Sequence, residues 1–199
     1  MFEGQSRSVA NRIKAFSVGA LCAGFTERRI QSYTVTRFIV DCMLGKLAKW
    51  LRMLGYDTSY CPDADDDELV RIAVRDNRIL LTRDRRLCDR RMVRKRCVFV
   101  DWGSTGEQLR QVVRELGLKV DKDRLFTRCA VCNGEITPLS KPEVEGRVPP
   151  YVYKTQPEFG YCASCDRIYW RGTHVQHVLE ALEQEQRPRS GADAGSNSQ

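Results

Sequence analysis

Between residues 37 and 117, short strand-like runs alternate with amphipathic helices, and this alternation most constrains the fold. In "RFIVD" (37–41), Phe38, Ile39 and Val40 form an apolar strand ended by Asp41. In "CMLGKLAKWLRMLG" (42–55), Leu44, Leu47, Ala48, Leu51 and Leu54 recur at helical spacing. Lys46, Lys49 and Arg52 take the other face, and Gly55 ends the helix. "YDTSY" (56–60) reads as a second strand. A second helix follows, with Asp65 and Glu68 spaced as a capping box and Leu69, Ile72 and Ala73 facing inward. "RILLT" (78–82) is a third strand, residues 84–95 a short basic helix or turn, and "CVFVD" (97–101) a fourth strand. The next helix has Ser104 or Thr105 as its N-cap, with Leu109, Val112, Val113 and Leu116 facing in. The pattern predicts an α/β fold, a mostly parallel sheet with helices on both faces. Ligands of such sheets sit beyond the carboxyl ends of the strands, where Asp41, Asp84 and Asp101 stand.

From about Phe126 the texture changes. Cys129-Ala-Val-Cys132 and Cys162-Ala-Ser-Cys165 are two matched knuckles separated by 29 residues. Each knuckle presents two thiolates to one tetrahedral centre, so the pairs predict a structural four-sulfur zinc site that folds its module. The intervening "TPLSKPEVEGRVPP" has loop character. Asn133-Gly134 and Asp166 suit the knuckle turns. The other five of nine cysteines lie among apolar or turn residues. They predict ordinary buried thiols in a reducing compartment, hence a cytoplasmic protein, rather than a disulfide frame. His174 and His177 are the only histidines. Four thiolates already complete the metal site, so a surface or packing role on the last helix is expected of them. No Ser–His or Cys–His nucleophile can be built in the first module, which leaves carboxylate and metal chemistry.

The net charge is +7, and the excess is concentrated. Residues 71–96 hold eleven Arg and Lys against three acids, which points to an anionic partner, nucleic acid above all, over a merely solvated basic face. No apolar run is long enough to span a membrane. Residues 1–36 are basic and acid-poor. They suit a flexible arm or a misplaced start codon, and organellar targeting is an alternative. "PRSGADAGSNSQ", at the end of the segment 179–199, has the composition of a disordered tail.

Divalent ions held by carboxylates generate hydroxide and neutralise oxyanion charge in phosphodiester hydrolysis. Asp41, the Asp63–Glu68 cluster, Asp84 and Asp101 are the candidates. Helix capping accounts for Asp65 and Glu68 and is the alternative for Asp84; a turn is the alternative for Asp101.

"FIVDCMLGKLAKWLRMLGYD", "DDDELVRIA", "RILLTRD", "RCAVCNG" and "YCASCDRIYWRGTH" together resemble the Mut-seven C-terminal RNase domain family, over residues 37–178. The resemblance implies a PIN-like three-layer α/β/α domain (37–125) with a small zinc ribbon (126–178). It implies a ribonuclease with three or four acids around Mg²⁺ or Mn²⁺. Asp41 matches the acid ending the first strand, Asp66 or Asp67 the acid at the second helix, and Asp84 that of the T-x-D motif. Asp101 is the candidate fourth. Thr82 is expected to orient the site by hydrogen bonding. RNA is the implied partner, with Lys46, Lys49, Arg83, Arg85 and Arg86 gripping phosphates and Tyr169 and Trp170 extending the surface. The alternatives are a non-catalytic RNA- or ribosome-binding module and a protein-interaction domain that binds an acidic partner.

Overall fold

Four strands, β1 (Arg37–Val40), β2 (Asp57–Tyr60), β3 (Ile79–Thr82) and β4 (Cys97–Phe99), pair in the order β2-β1-β3-β4, every pair parallel. In this computed structural model residues 36–170 and 172–183 are described, apart from the side chains of Lys122, Thr173, His174 and Val175. The expectations for residues 1–35 and for the polar tail lie outside the described residues, as does the side chain of His174.

The central strands β1 and β3 are mostly apolar because both their faces are covered, whereas the edge strand β2 is polar in three of its four residues. Phe38 and Val40 point into one core and Ile39 into the other, as a two-residue side-chain period requires. On the first face lie α1 (Gly45–Met53) and α4 (Thr105–Leu116). Leu47, Ala48 and Leu51 from α1, with Leu109 and Val112 from α4, are fully buried there. Burial of each such leucine contributes about 1.5–3 kcal/mol. On the second face lie α2 (Asp66–Arg75) and the short α3 (Arg85–Asp89), which bring Leu69, Ala73 and Leu87 against Ile39 and Leu80. This is the expected PIN-like α/β/α layering.

Local signals set the element ends. Asp65 accepts from the Glu68 backbone N–H at the start of α2, the cap its spacing predicts. At α4 the N-cap is Ser104, with a reciprocal capping box to Glu107. Gly55 follows α1 at φ 83°, where a Cβ would collide with the Arg124 carbonyl oxygen. Basic residues 90–96 continue as turns rather than helix, because α3 stops after Asp89.

The second module is an antiparallel sheet, β5 (Thr137–Leu139), β6 (Phe159–Cys162) and β7 (Arg167–Trp170). The segment between β5 and β6 is more than the loop expected. Val144 and Val148 pack with Phe159 in a satellite core, and Pro149 leads into α5 (Pro150–Thr155). The chain then returns to the first module through α6 (Thr173–Glu183). Val178, 2% exposed, completes the core beside α4, and the Arg110 guanidinium donates to the Ala181 carbonyl.

Two cysteine expectations need correction. Cys88 and Cys97 form a disulfide, because α3 folds back beside β4 and brings their Cα atoms to 5.3 Å. Cys42 is an exposed thiol rather than a buried one, since the turn that carries it lies beyond the end of β1. No described helix is long and apolar enough to cross a membrane.

Candidate functional site

The chain leaves β1 towards β2 on one side and crosses to β3 on the other. The carboxyl ends of β1 and β3 therefore flank the switch point of the sheet. Asp41 ends β1 there, and its backbone N–H extends the pairing to Leu81 at 3.0 Å. Thr82, fully buried at the end of β3, donates its hydroxyl to Asp41 Oδ2 at 2.7 Å. The same hydroxyl accepts from the Asp84 backbone N–H at 3.0 Å. One threonine thus joins the two acids and satisfies its own buried hydroxyl twice. Asp84 also caps α3 through the Arg86 N–H at 2.8 Å, so its capping role and its place in this corner coexist.

The other candidate acids stand elsewhere. Asp66 and Asp67, in the first turn of α2, both pair with Arg90, whose Nη2 lies 3.5 Å from Asp66 Oδ2. Asp101 is exposed beyond β4, with its backbone N–H bonded to Gln111 Oε1 at 2.9 Å. Asp41 and Asp84 thus come together through Thr82, Asp66 and Asp67 through Arg90, and Asp101 joins neither pair.

Beside the corner is a cleft of about 760 Å³. Lys46 and Lys49 from α1, Arg83 after β3, and Ser104, Thr105 and Gln108 at the start of α4 line it. Two helix N-termini and three cations therefore face one space, an arrangement suited to anions. Arg83 stacks over Trp102, its guanidinium carbon 3.0 Å from the ring centroid. Arg85 and Arg86 are exposed on α3 and do not line the cleft. Arg85 covers the Phe99 ring instead.

The four cysteines meet as their spacing predicts. One sulfur from each of Cys129, Cys132, Cys162 and Cys165 lies within 4.8 Å of the others. The Cys129–Cys165 and Cys132–Cys162 separations are 3.9 and 3.4 Å, against about 3.8 Å for a tetrahedron with bonds of about 2.3 Å to zinc. The thiols therefore fit a metal such as zinc. Among the described residues they are the only such cluster of three or more potential ligands, and the exposed His177 is outside it.

Backbone N–H groups of Cys132 and Gly134 point at the sulfurs of Cys129 and Cys132, at 3.3 and 3.4 Å. Gly134 permits that approach, because a Cβ there would lie 3.2 Å from Cys132 Sγ. Burial raises the Cys129 thiol, but hydrogen bonds from the Cys132 N–H and the Tyr169 hydroxyl outweigh it and bring it down to about 6. Cys165 is pushed up to about 12, first by its hydrogen bond with Cys132 and then by burial. Four thiols this close ionise together only around a cation. Tyr169, expected on an RNA surface, instead bonds Cys129 Sγ through its hydroxyl at 2.9 Å. Trp170, the other, is 36% exposed.

The first knuckle is tied to the first module by residues that periodicity misassigned or missed. Arg52, read as solvent-facing, is 5% exposed. Its guanidinium donates to the carbonyls of Thr58, Ala130 and Val131 at 2.8, 3.1 and 2.8 Å. The available signal was its place four residues after Ala48, at the edge of the apolar stripe. Asn133, held at φ 68°, accepts from the Thr58 N–H and donates to Asp57 Oδ1, at 2.9 and 2.8 Å. Asp57 is 9% exposed and also accepts from Arg78 at 2.8 Å. Burial raises its carboxyl pKa, but the Arg78 and Asn133 hydrogen bonds win and hold it below the usual value. An acid opening a strand that pairs with the buried β1 was itself a sign of a buried partner.

No curated protein and no solved structure is significantly similar to this chain. Residues 36–182 match the Mut7-C RNase domain, a span that runs from β1 through the cysteine knuckles to α6. The parallel sheet with its acid corner and the docked four-cysteine ribbon thus fall within one matched unit, and the chain belongs to the Mut7-C RNase domain family.

Proposed function

We propose that this protein is a metal-dependent endoribonuclease whose cation is held by Asp41 and Asp84. The observation that carries the reading is the Asp41–Thr82–Asp84 corner at the switch point of the sheet, next to a cleft lined by Lys46, Lys49 and Arg83. Its donor set is oxygen only, which fits hard Mg²⁺ or Mn²⁺. When bound, such an ion supplies an activated water and neutralises charge developing on the phosphate. Thr82 holds the Asp41 carboxylate in one orientation. Lys46, Lys49 and Arg83 hold the RNA backbone in the cleft, and Arg85 and Arg86 extend the basic surface along α3. Asp66, Asp67 and Asp101 are the further acids that the ion or the activated water draws on, the first two after release from Arg90. Zinc is the metal proposed for the four cysteines, with a structural role.

The test is cleavage of single-stranded and structured RNA with Mn²⁺. Asp41→Asn and Asp84→Asn are each expected to lower the rate at least about 100-fold, the scale of losing a group that acts in the transition state. Cleavage that persists in the double variant would sink this site.

A second reading has its own support. Arg90 already neutralises Asp66 and Asp67, and among the described residues no three carboxylates gather as the cysteines do. On that reading the chain is a non-catalytic RNA-binding module. Wild type and double variant then bind RNA alike, with steep salt dependence, and neither cuts.

A further inference from the structure

Next to the basic cleft stands one feature that neither the carboxylates nor the lysines explain. Trp102 is 78% exposed, more than any other large hydrophobic side chain among the described residues. It stands between β4 and α4, next in sequence to Gly103 at the cleft wall. Its backbone is pinned on both sides. Val100 N–H bonds the Thr82 carbonyl at 2.7 Å, Asp101 N–H bonds Gln111 Oε1, and Ser104 sits in the capping box with Glu107. Arg83 covers one face of the indole, and with so much of the residue exposed the opposite face is open. Arg83 is held there with two buried nitrogens, Nε and Nη2, that have no hydrogen-bond partner.

We propose that Trp102 is the stacking platform for an unpaired nucleobase, with Arg83 bracing the indole and Lys46 and Lys49 holding the adjacent phosphates. This subsite rests on the reading that the cleft takes RNA, and it specifies which RNA: a single-stranded segment next to the carboxylate corner. A bare anion needs the cations but not an exposed indole. An apolar protein segment needs the indole but not three cations in a cleft with no acidic lining residue. A strand of nucleotides offers a π-face and a phosphate at each step, so it uses both. A base inside a duplex has both faces covered by its neighbours and cannot stack on Trp102.

The test measures binding by the full chain in EDTA, where metal-dependent cleavage is off. The probes are a short single-stranded RNA, the matching RNA duplex and an abasic strand of equal length. Trp102→Ala is expected to lower affinity for the base-bearing strand by about five- to 150-fold, the span that corresponds to losing one base–aromatic stack. Its affinity for the abasic strand and the duplex falls far less, because Lys46 and Lys49 still hold the phosphates and only the support of Arg83 is lost. Trp102→Phe keeps most of the affinity but loses the quenching of tryptophan emission that the base-bearing strand causes in wild type. The side chain is on the surface, so both variants melt like wild type.

Three results overturn the proposal: Trp102→Ala binding the single strand as wild type does, Trp102→Ala weakening abasic and base-bearing strands equally, or wild type failing to prefer the base-bearing strand. Cleavage with Mn²⁺ is scored separately. A wild type that never cuts, yet shows the Trp102-dependent affinity, removes the ribonuclease reading and leaves the subsite standing.

Discussion

The two candidate metal centres of this chain are built on opposite plans. The cysteine centre is closed: four sulfurs, two knuckles, backbone N–H groups aimed at the thiolates, and a buried arginine fixing the first knuckle to the neighbouring module. The carboxylate corner is open. Two acids share one threonine, two more are held off by Arg90, and one stands at the surface. The difference follows from the ions each donor set suits. A soft tetrahedral site needs every ligand from the protein, so the chain must bring all four together. A hard cation keeps waters and takes oxygens from a phosphate substrate, so the protein supplies a few carboxylates and leaves the rest of the sphere open.

Removing metal from the closed centre should produce the largest effect. Structural four-thiolate sites of this type contribute on the order of 10 kcal/mol to folding at neutral pH. Chelation, or Cys129→Ser, is expected to unfold the ribbon and expose Val178 on α6, read by circular dichroism and by limited proteolysis at 130–172. A melting curve indifferent to chelator would remove the contrast between the centres.

Cutting the tie between modules comes next. Arg52→Ala leaves three carbonyls without their donor, and Asp57→Asn takes from Arg78 its close counter-charge, leaving only Asp76 at 3.9 Å. Each is expected to cost about 3 kcal/mol in denaturant unfolding. Asp57 adds a pH signature. Its folded pKa lies below its unfolded value, so its contribution is full above about pH 4 and is lost as pH falls through the lower, folded value. The acid limb of the stability curve should flatten in Asp57→Asn. An unchanged limb would mean that other carboxylates govern it.

Within the open corner, Thr82→Val keeps the shape but removes the hydroxyl between Asp41 and Asp84. About 1–2 kcal/mol of stability should go, together with a larger share of any Mn²⁺-dependent cleavage. Loss of stability with cleavage intact would show that the two acids hold their positions without it. The smallest effect belongs to Arg90→Ala. Surface ion pairs contribute about 0.2–1 kcal/mol, so melting barely moves. If Asp66 and Asp67 serve the cation, apparent Mn²⁺ affinity rises in this variant, and titration of cleavage against Mn²⁺ reads it directly.

Much of this was legible in the chain. The strand ends at Asp41 and Thr82 follow from apolar runs too short to be anything else, and the knuckles from spacing alone. The caps at Asp65 and Ser104 are local as well, since each satisfies backbone donors three residues away. What escaped depends on neighbours distant in sequence. Arg52 looked solvated because its carbonyl partners lie 78 and 79 residues further on. Asp67 looked available because Arg90 is 23 residues away. Cys88 and Cys97 looked unpaired because only the return of the chain from α3 to β4 brings them together. Trp102 left a different kind of gap: periodicity sorts a tryptophan towards the core, and this one is pinned outward by the turn that carries it.

The return of α6 has a consequence for synthesis. The core that Val178 completes is otherwise formed by residues up to α4, yet Val178 emerges from the ribosome about 60 residues later. At about 5–20 residues per second, the nascent sheet and its helices spend several seconds with that seat uncovered. The last helix closes that seat against α4, so the core of the first module is completed only after the whole ribbon sequence has been made.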